Sequence, residues 1–415
     1  MKGKKFLTVG GVLFLVLTLV TLSFMGACAK PTPTPTPAPT PSPAPESIKI
    51  GALVCITGGD ASNGQQQKRG YELAVEDINK AGGIYVKEFD KKIPIELKIL
   101  DMETNPDKAR TRAEALYSEY NVVASVGALL IGAAADIFEK NKMPVVVIAN
   151  SVQSLHESGY KYYFAACAKA PDMAKANFDF LDTLPIKPTK LAIFVEESDW
   201  VIECVNFINQ EAAARGYKVV VSEKYAMLAK DLSPLILKAK DAGAEALLAY
   251  PVTPDGLLMV RQMKELDYNP KLVMFTRAAA DSAWGNLGSI AEYVVGLDQW
   301  HPAVNFPGVK ELCAEWEAKF KQSAQPMTGP AYANIQIMAD AIERAGTLDA
   351  DKIRDAIAAT DMMTVVGRVK FRENGTLIDP LDIEAQWQNK VRELVWPESM
   401  MTKPLIYPVP KWSER

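Results

Sequence analysis

Residues 47–84, SIKIGALVCITGGDASNGQQQKRGYELAVEDINKAGGI, constrain the fold more than any other stretch. A short apolar run over 48–55 carries Ile48, Ile50, Leu53 and Val54, and a Gly/Asp/Ser/Asn loop follows over 57–64. Tyr71, Ala74, Val75 and Ile78 then recur at i, i+3, i+4 and i+7, the spacing of one helix face. Gly82-Gly83 ends that helix, as glycine commonly does just past a helix end. Strand, loop and helix in this order open a parallel α/β sheet. Ligands of such sheets sit beyond the carboxyl ends of the strands, so loop 57–64 falls at a candidate site.

The same alternation continues. Residues 94–100 alternate as a strand, and Asn105-Pro106 opens a helix with Asn as cap and Pro in its first turn. Strand 122–126, loop 127–132, a helix to about 140 and strand 144–148 follow, the last ending in Ala149-Asn150-Ser151 at the ligand-facing edge. Residues 162–167 read as a crossover strand. Beyond it strands 191–195, 218–221, 246–250 and 272–275 alternate with helices, one of them with Val201, Cys204, Val205, Ile208 and Ala212 on a single face. Residues 294–297 lead back to helices 309–322 and 329–345. A late hairpin is expected from 367–371 and 383–388 around the turn Asn374-Gly375.

About 370 residues follow the leader and linker, too many for one ordinary core. The expected architecture is α/β and two-lobed, each lobe a largely parallel sheet flanked by helices. Lobe 1 takes 47–166 plus about 300–366, lobe 2 takes 167–299 plus about 367–400 with the hinge strands, and 401–415 is a tail. Several crossings make a hinge, and closure on a ligand is the expected motion.

Ahead of this body, Lys2, Lys4 and Lys5 precede a largely apolar run over 6–24, and Gly26-Ala27 precede Cys28. This pattern is a cleaved signal peptide over 1–27 with lipid attachment at Cys28. It resembles a bacterial lipobox, with Met25 where leucine is usual. A retained transmembrane helix and a plain secreted form are the alternatives. Residues 30–46, KPTPTPTPAPTPSPAPE, are a proline-fixed spacer roughly 50 Å long between anchor and folded body.

A net charge of -4 with mixed signs argues against nucleic acid as a partner. Cys55, Cys167, Cys204 and Cys313 allow up to two disulfides or stay as buried thiols. The two histidines, His156 and His301, are expected at the surface. There is no G-x-S-x-G, no G-x-x-x-x-G-K-[ST], no H-E-x-x-H and no C-x-x-C. The expectation is a binding protein that is not an enzyme and uses no cofactor or metal. Arg277, just past strand 272–275, is either a solvated arginine or a partner for a carboxylate at the cleft.

The pattern at Ile48, Ile50, Gly51, Ala52, Thr57, Gly58, Gly64, Gly70, Leu73, Ala74, Val75, Ile78, Asn79, Ala81, Gly82, Gly83 and Ile84 resembles the start of type I solute-binding proteins. Specifically, it is similar to the Leu/Ile/Val-binding receptors of bacterial ABC importers. The resemblance implies a monomeric, lipid-anchored receptor at the outer face of the cytoplasmic membrane or in the periplasm. Its partners would be a small-molecule ligand and permease subunits. It also implies site residues. Asn150 and Ser151 fall where the family has a small residue and a hydroxyl, and Asp199-Trp200 where it often has Asp-Tyr. Pro254-Asp255 fits its Pro-Glu helix start; the alternative for Asp255 is a first-turn charge on the helix dipole. Leu130 and Ile131, before Gly132, stand where the family has two serines, and Asn63 where an aromatic often lies. Trp300 and Tyr332 are further pocket candidates, against a plain core role. These departures favour a small apolar or aromatic carboxylate or an amino acid. The rival readings are a sensory subunit feeding a signalling partner and a secreted hydrolase.

Overall fold

The central parallel strands of both sheets are short and buried on both faces, as parallel strands covered by helices must be, while the edge strands at Ile95–Asp101 and Lys218–Tyr225 carry charged and polar residues. The computed structural model describes residues 43–415; the expected signal peptide, Cys28 and the linker as far as residue 42 lie outside the described residues. Strand β1 (Ile48–Val54) leads into α1 (Ala61–Lys80). A small antiparallel ribbon follows, β2 (Ile84–Val86) with β3 (Lys91–Ile93). Then come β4 (Ile95–Asp101), α2 (Pro106–Ser118), β5 (Ala124–Ala128), α3 (Ala135–Lys140), β6 (Val145–Ile148) and β7 (Tyr163–Ala165). The first sheet has the order β4-β1-β5-β6-β7 and is parallel throughout. Asn105 caps α2 as expected, its side chain accepting from the amides of Asp107 (2.8 Å) and Lys108 (3.0 Å).

The second sheet takes α4 (Ala170–Thr183), β8 (Lys190–Glu196), α5 (Asp199–Ala214), β9 (Lys218–Tyr225), α6 (Ser233–Asp241), β10 (Ala246–Ala249), α7 (Thr253–Glu265), β11 (Leu272–Phe275) and β12 (Val295–Asp298). The chain then returns to cover the first sheet with α8 (Val309–Phe320), α9 (Thr328–Ala345) and α10 (Ala350–Ala358). A hairpin, β13 (Asp361–Thr364) with β14 (Gly367–Lys370), follows. Finally β15 (Ile383–Gln388) and β16 (Val391–Trp396) add antiparallel strands to the second sheet, whose order is β16-β15-β12-β11-β10-β8-β9. The chain thus passes between the sheets three times.

Each sheet is covered on two faces. In the first, Ile335, Met338 and Ile342 of α9 pack on Ile50, Ala52 and Val126, and the opposite face holds Leu53, Leu116, Phe138 and Val147. In the second, Val201, Cys204, Val205, Ile208 and Ala212 are all buried, as their spacing indicates. A further apolar cluster joins Leu73 of α1 and Trp300 to Ile383, Ala385 and Leu394 of the second sheet. It sits astride the crossings and is the solid part of the hinge. Trp300 is fully buried there and donates to the Val365 carbonyl at 2.9 Å, so it is core.

Two expectations fail. The late hairpin is not formed by 367–371 and 383–388. The Asn374-Gly375 turn forms, with Gly375 at φ 78°, but it brings Phe371 against Leu377 and sets Thr376 beside Ala165 of the first sheet. Val369, Phe371 and Leu377 pack in the first-sheet core rather than in the second lobe. Register is set by tertiary burial, which outweighs the local turn signal. The histidines are also not at the surface: His156 and His301 are buried, each ring bonding a backbone carbonyl, of Asn374 (2.8 Å) and Arg392 (3.2 Å) respectively. The neutral His301 ring is satisfied on both nitrogens, since Nδ1 also accepts from the Ala303 amide (3.1 Å), whereas Nε2 of His156 is buried with no hydrogen-bond partner among the described residues. The four cysteines are unpaired, and Cys55, Cys167 and Cys204 are buried.

Burial, and then the Lys169 charge, hold the His156 pKa down from 6.5 to about 3. The unfolded chain therefore takes up a proton below pH 6.5 that the folded chain refuses. Stability is lost as pH falls from about 6.5 toward 3, by about 2 kcal/mol from this group at pH 5. His156→Asn keeps an N–H donor but does not titrate. Urea unfolding at pH 7.5 and pH 5 should show the gap between wild type and variant shifting by that amount; parallel pH profiles refute it.

Candidate functional site

In-register pairing brings strand ends together. β1 pairs with β4 from Ile48 opposite Ile95 to Val54 opposite Asp101, so Asp101 lies beside the loop that leaves β1. Its Oδ1 accepts from the Ile56 amide (2.9 Å) and its Oδ2 from the Thr57 hydroxyl (2.7 Å). Thr104 donates to the Thr57 carbonyl (2.8 Å) and accepts from the Asp60 amide (3.2 Å). The loop is thereby held at both ends. Gly64 lets α1 start hard against it, since a Cβ there would lie 1.8 Å from the Cys55 carbonyl oxygen.

In the second sheet β10 aligns Ala249 with Phe194 of β8 and Phe275 of β11, so Glu196, Tyr250 and Arg277 follow at one edge. Glu196 is fully buried. Its carboxylate accepts from the Val252 amide (2.7 Å) and from Nη2 of Arg277 at 3.0 and 2.8 Å. Nε of Arg277 donates to the Pro251 carbonyl (3.3 Å), and its guanidinium lies 5.2 Å from the centre of the Trp200 ring. Trp200 in turn meets Tyr250 edge-on at 5.8 Å. Arg277 holds φ 71°, which turns its side chain back across the strand ends.

Between these edges lies a cleft of about 290 Å³. One wall is Gly59, Asp60, Ser62 and Asn63 of the first lobe. The other is Val252, Thr253, Pro254, Leu257, Arg277 and Asp281 of the second. Oδ1 of Asp60 accepts from the Asn63 amide group at 2.9 Å, and the Thr253 hydroxyl donates to Asp281 at 3.0 Å. Burial raises the Asp60 pKa above the ordinary carboxylate value, against the opposing pull of Arg277 and Asn63.

Of the residues expected at a site, Asn63 and Arg277 line the cleft, and Trp200 backs it through Arg277. Arg277 gives its Nη2 bonds to Glu196. Asp255 does not line the cleft: it is buried, and its Oδ2 accepts from the Leu228 amide at 2.9 Å. Leu130 and Ile131 lie on a 3-10 turn after β5, where Ile131 is fully buried in the core beneath Gly127 and Leu130 packs against the same cluster. Asn150 donates to the Leu129 carbonyl (2.6 Å), and its own carbonyl accepts from the ammonium of buried Lys169 (2.6 Å). The Ser151 carbonyl accepts from the Ala170 amide at the start of α4. These two join the lobes at the first crossing. Tyr332 donates to Asp77 (2.9 Å) in a second hollow, between α1 and α9.

Asp60, Glu196, Thr253 and Asp281 were not singled out from sequence. Asp60 falls within loop 57–64, marked as a whole and not residue by residue, and Glu196 directly follows the strand expected at 191–195.

Two parallel-stranded lobes, crossed three times and facing each other across strand-end loops, define the two-lobed binding-protein class. The chain belongs to the periplasmic binding protein family, whose model matches residues 47–390. Members of the family are exported binding proteins rather than enzymes. The chain is 26% identical over 377 residues to Leu/Ile/Val-binding protein homolog 8 of Brucella abortus, spanning 85% of this chain and 91% of that one. The leucine binding protein LivK of Thermotoga maritima shares its fold at TM-score 0.76 and 22% identity, covering 84% of this chain and 97% of that one. So does a solute binding protein of an ABC transporter from Rhodopseudomonas palustris, solved with 3,4-dihydroxybenzoic acid, at TM-score 0.72 and 21% identity over 83% and 94% of the two chains.

Proposed function

We propose that this chain is the lipid-anchored, solute-capturing receptor of an ABC importer, taking an amino acid or related small carboxylate between its lobes and presenting it to a membrane permease. The observation that carries the reading is the cleft of about 290 Å³ with one wall from each lobe, a volume at the small end for ligand pockets. Helices α1 and α7 both begin at its rim, where first-turn amides favour a carboxylate. The names of the similar proteins, one for leucine, isoleucine and valine and one solved with an aromatic acid, support the same solute class. Only the closed form touches solute from both sides, so capture and closure are one equilibrium. The positive leader and Cys28 support export and lipid attachment, with the proline-rich stretch as spacer.

Thermal unfolding in the presence of amino acids and small carboxylates tests the reading. A true solute at a hundredfold excess over its dissociation constant should add about 2.7 kcal/mol of stability. It should also shrink the radius of gyration in solution scattering. If no member of either class shifts the transition, the receptor reading fails. In cells, mature protein should carry diacylglycerol on Cys28, and Cys28→Ser should leave the membrane fraction.

A further inference from the structure

The charges at the cleft do not balance for a neutral solute. Arg277 is the single cation among the described residues that line it. That cation is committed to Glu196, a fully buried carboxylate behind the wall, through two contacts of 3.0 and 2.8 Å. Asp255, also near, is satisfied by the Leu228 amide. Asp60 is left differently. It lies on the opposite wall, on the loop pinned by Asp101 and Thr104. Its Oδ1 has the Asn63 amide, but its Oδ2 is fully buried and has no hydrogen-bond partner among the described residues. An unpartnered buried carboxylate oxygen is costly and rare enough to need a reason. Burial raises the Asp60 pKa although Arg277 and Asn63 both oppose it, so the protein's own groups do not compensate the charge.

We propose that the solute carries a positive charge beyond that of a zwitterion, and that this cationic nitrogen docks on Oδ2 of Asp60 when parting of the lobes exposes it: the solute is a basic amino acid, not a branched aliphatic one or a plain aromatic acid. The proposal rests on the reading of the cleft as the solute site. A zwitterion brings equal and opposite charges and leaves the lining as negative as before. A solute with a further ammonium or guanidinium supplies both the missing donor and the missing charge, and such charge-assisted bonds are the strong ones. Closure then holds the cation on Asp60 of the first lobe against the second wall, where the Thr253 hydroxyl lies on Asp281 and Arg277 is turned to Glu196. Arg277 stays on Glu196, which keeps it from competing for Asp60.

The test is titration calorimetry of the full chain with arginine, lysine, citrulline, leucine and 3,4-dihydroxybenzoate, on wild type and Asp60→Asn. Arginine or lysine should bind at least tenfold more tightly than citrulline or leucine. Asp60→Asn should weaken the cationic solute at least thirtyfold and change citrulline less than threefold. Raising the salt concentration should weaken the wild-type complex more than the variant's. If leucine or dihydroxybenzoate binds wild type as tightly as arginine or better, the proposal is overturned while the receptor reading stands. Equal weakening of every solute in Asp60→Asn also overturns it, since Asp60 is then only part of the wall. If nothing in either solute class binds, the receptor reading itself falls. Thermal melts of the variant, alone and with citrulline, separate a lost contact from a lost fold.

Discussion

Arg277→Met should lower the stability of the chain by about 3–5 kcal/mol, because it strands a buried carboxylate. Glu196 is fully buried, while the Arg277 side chain retains 15% exposure. Without the guanidinium, Glu196 keeps only the Val252 amide and the Ser198 hydroxyl, the latter at 3.3 Å. Methionine preserves the volume and the Cβ, so the positive φ is no worse than before. Glu196→Gln in the same chain should restore most of the loss, and a double-mutant cycle in urea measures the coupling. A single-variant cost below about 1 kcal/mol would show that water already reaches Glu196. Solute affinity should fall as well, since Trp200 loses the cation that holds it against the cleft.

Gly64→Ala should cost about 3 kcal/mol net, although alanine favours helices by about 1 kcal/mol over glycine. Its Cβ would lie 1.8 Å from the oxygen and 2.4 Å from the carbon of the Cys55 carbonyl. Both are backbone atoms, so no rotamer relieves the clash, and β1 and α1 must part. Asn63 and Asp60 flank the position, so binding should weaken with stability. An unchanged urea midpoint would refute the close approach of helix and strand.

The opening unit was legible because its signals are local. Ile48, Ile50, Leu53 and Val54 are buried where the apolar run placed them, and Asn105 caps its helix. The closing elements were legible only in part. β15 forms at 383–388 as expected, but it pairs with β12 and β16 rather than with 367–371, and its buried Glu384, Gln386 and Gln388 give no hydrophobic sign of that place inside the sheet. β13, β16 and α10 went unseen, and the Asn374-Gly375 turn pointed to the wrong strand pair, because their partners lie in register with distant chain rather than with neighbours. At the site, Asn63 and Arg277 stood out as residue types at strand ends. What Arg277 does depends on Glu196, 81 positions earlier, a relation that no spacing rule carries. Asp255 shows the converse: its position at a helix start was plain, but the Leu228 amide that takes its carboxylate is a tertiary accident of loop 226–230.

The return of α9 to the first sheet has a consequence for synthesis. Ile335, Met338 and Ile342 cover Ile50, Ala52 and Val126 from more than two hundred residues downstream. As the ribosome releases the chain from its amino end, that side of the earliest sheet stays bare until most of the message has been read. Neither half can be completed from a contiguous piece of the gene. The first half therefore stays unfinished for most of the time the polypeptide is emerging, a state suited to the members of an exported family, which set only after they are threaded elsewhere.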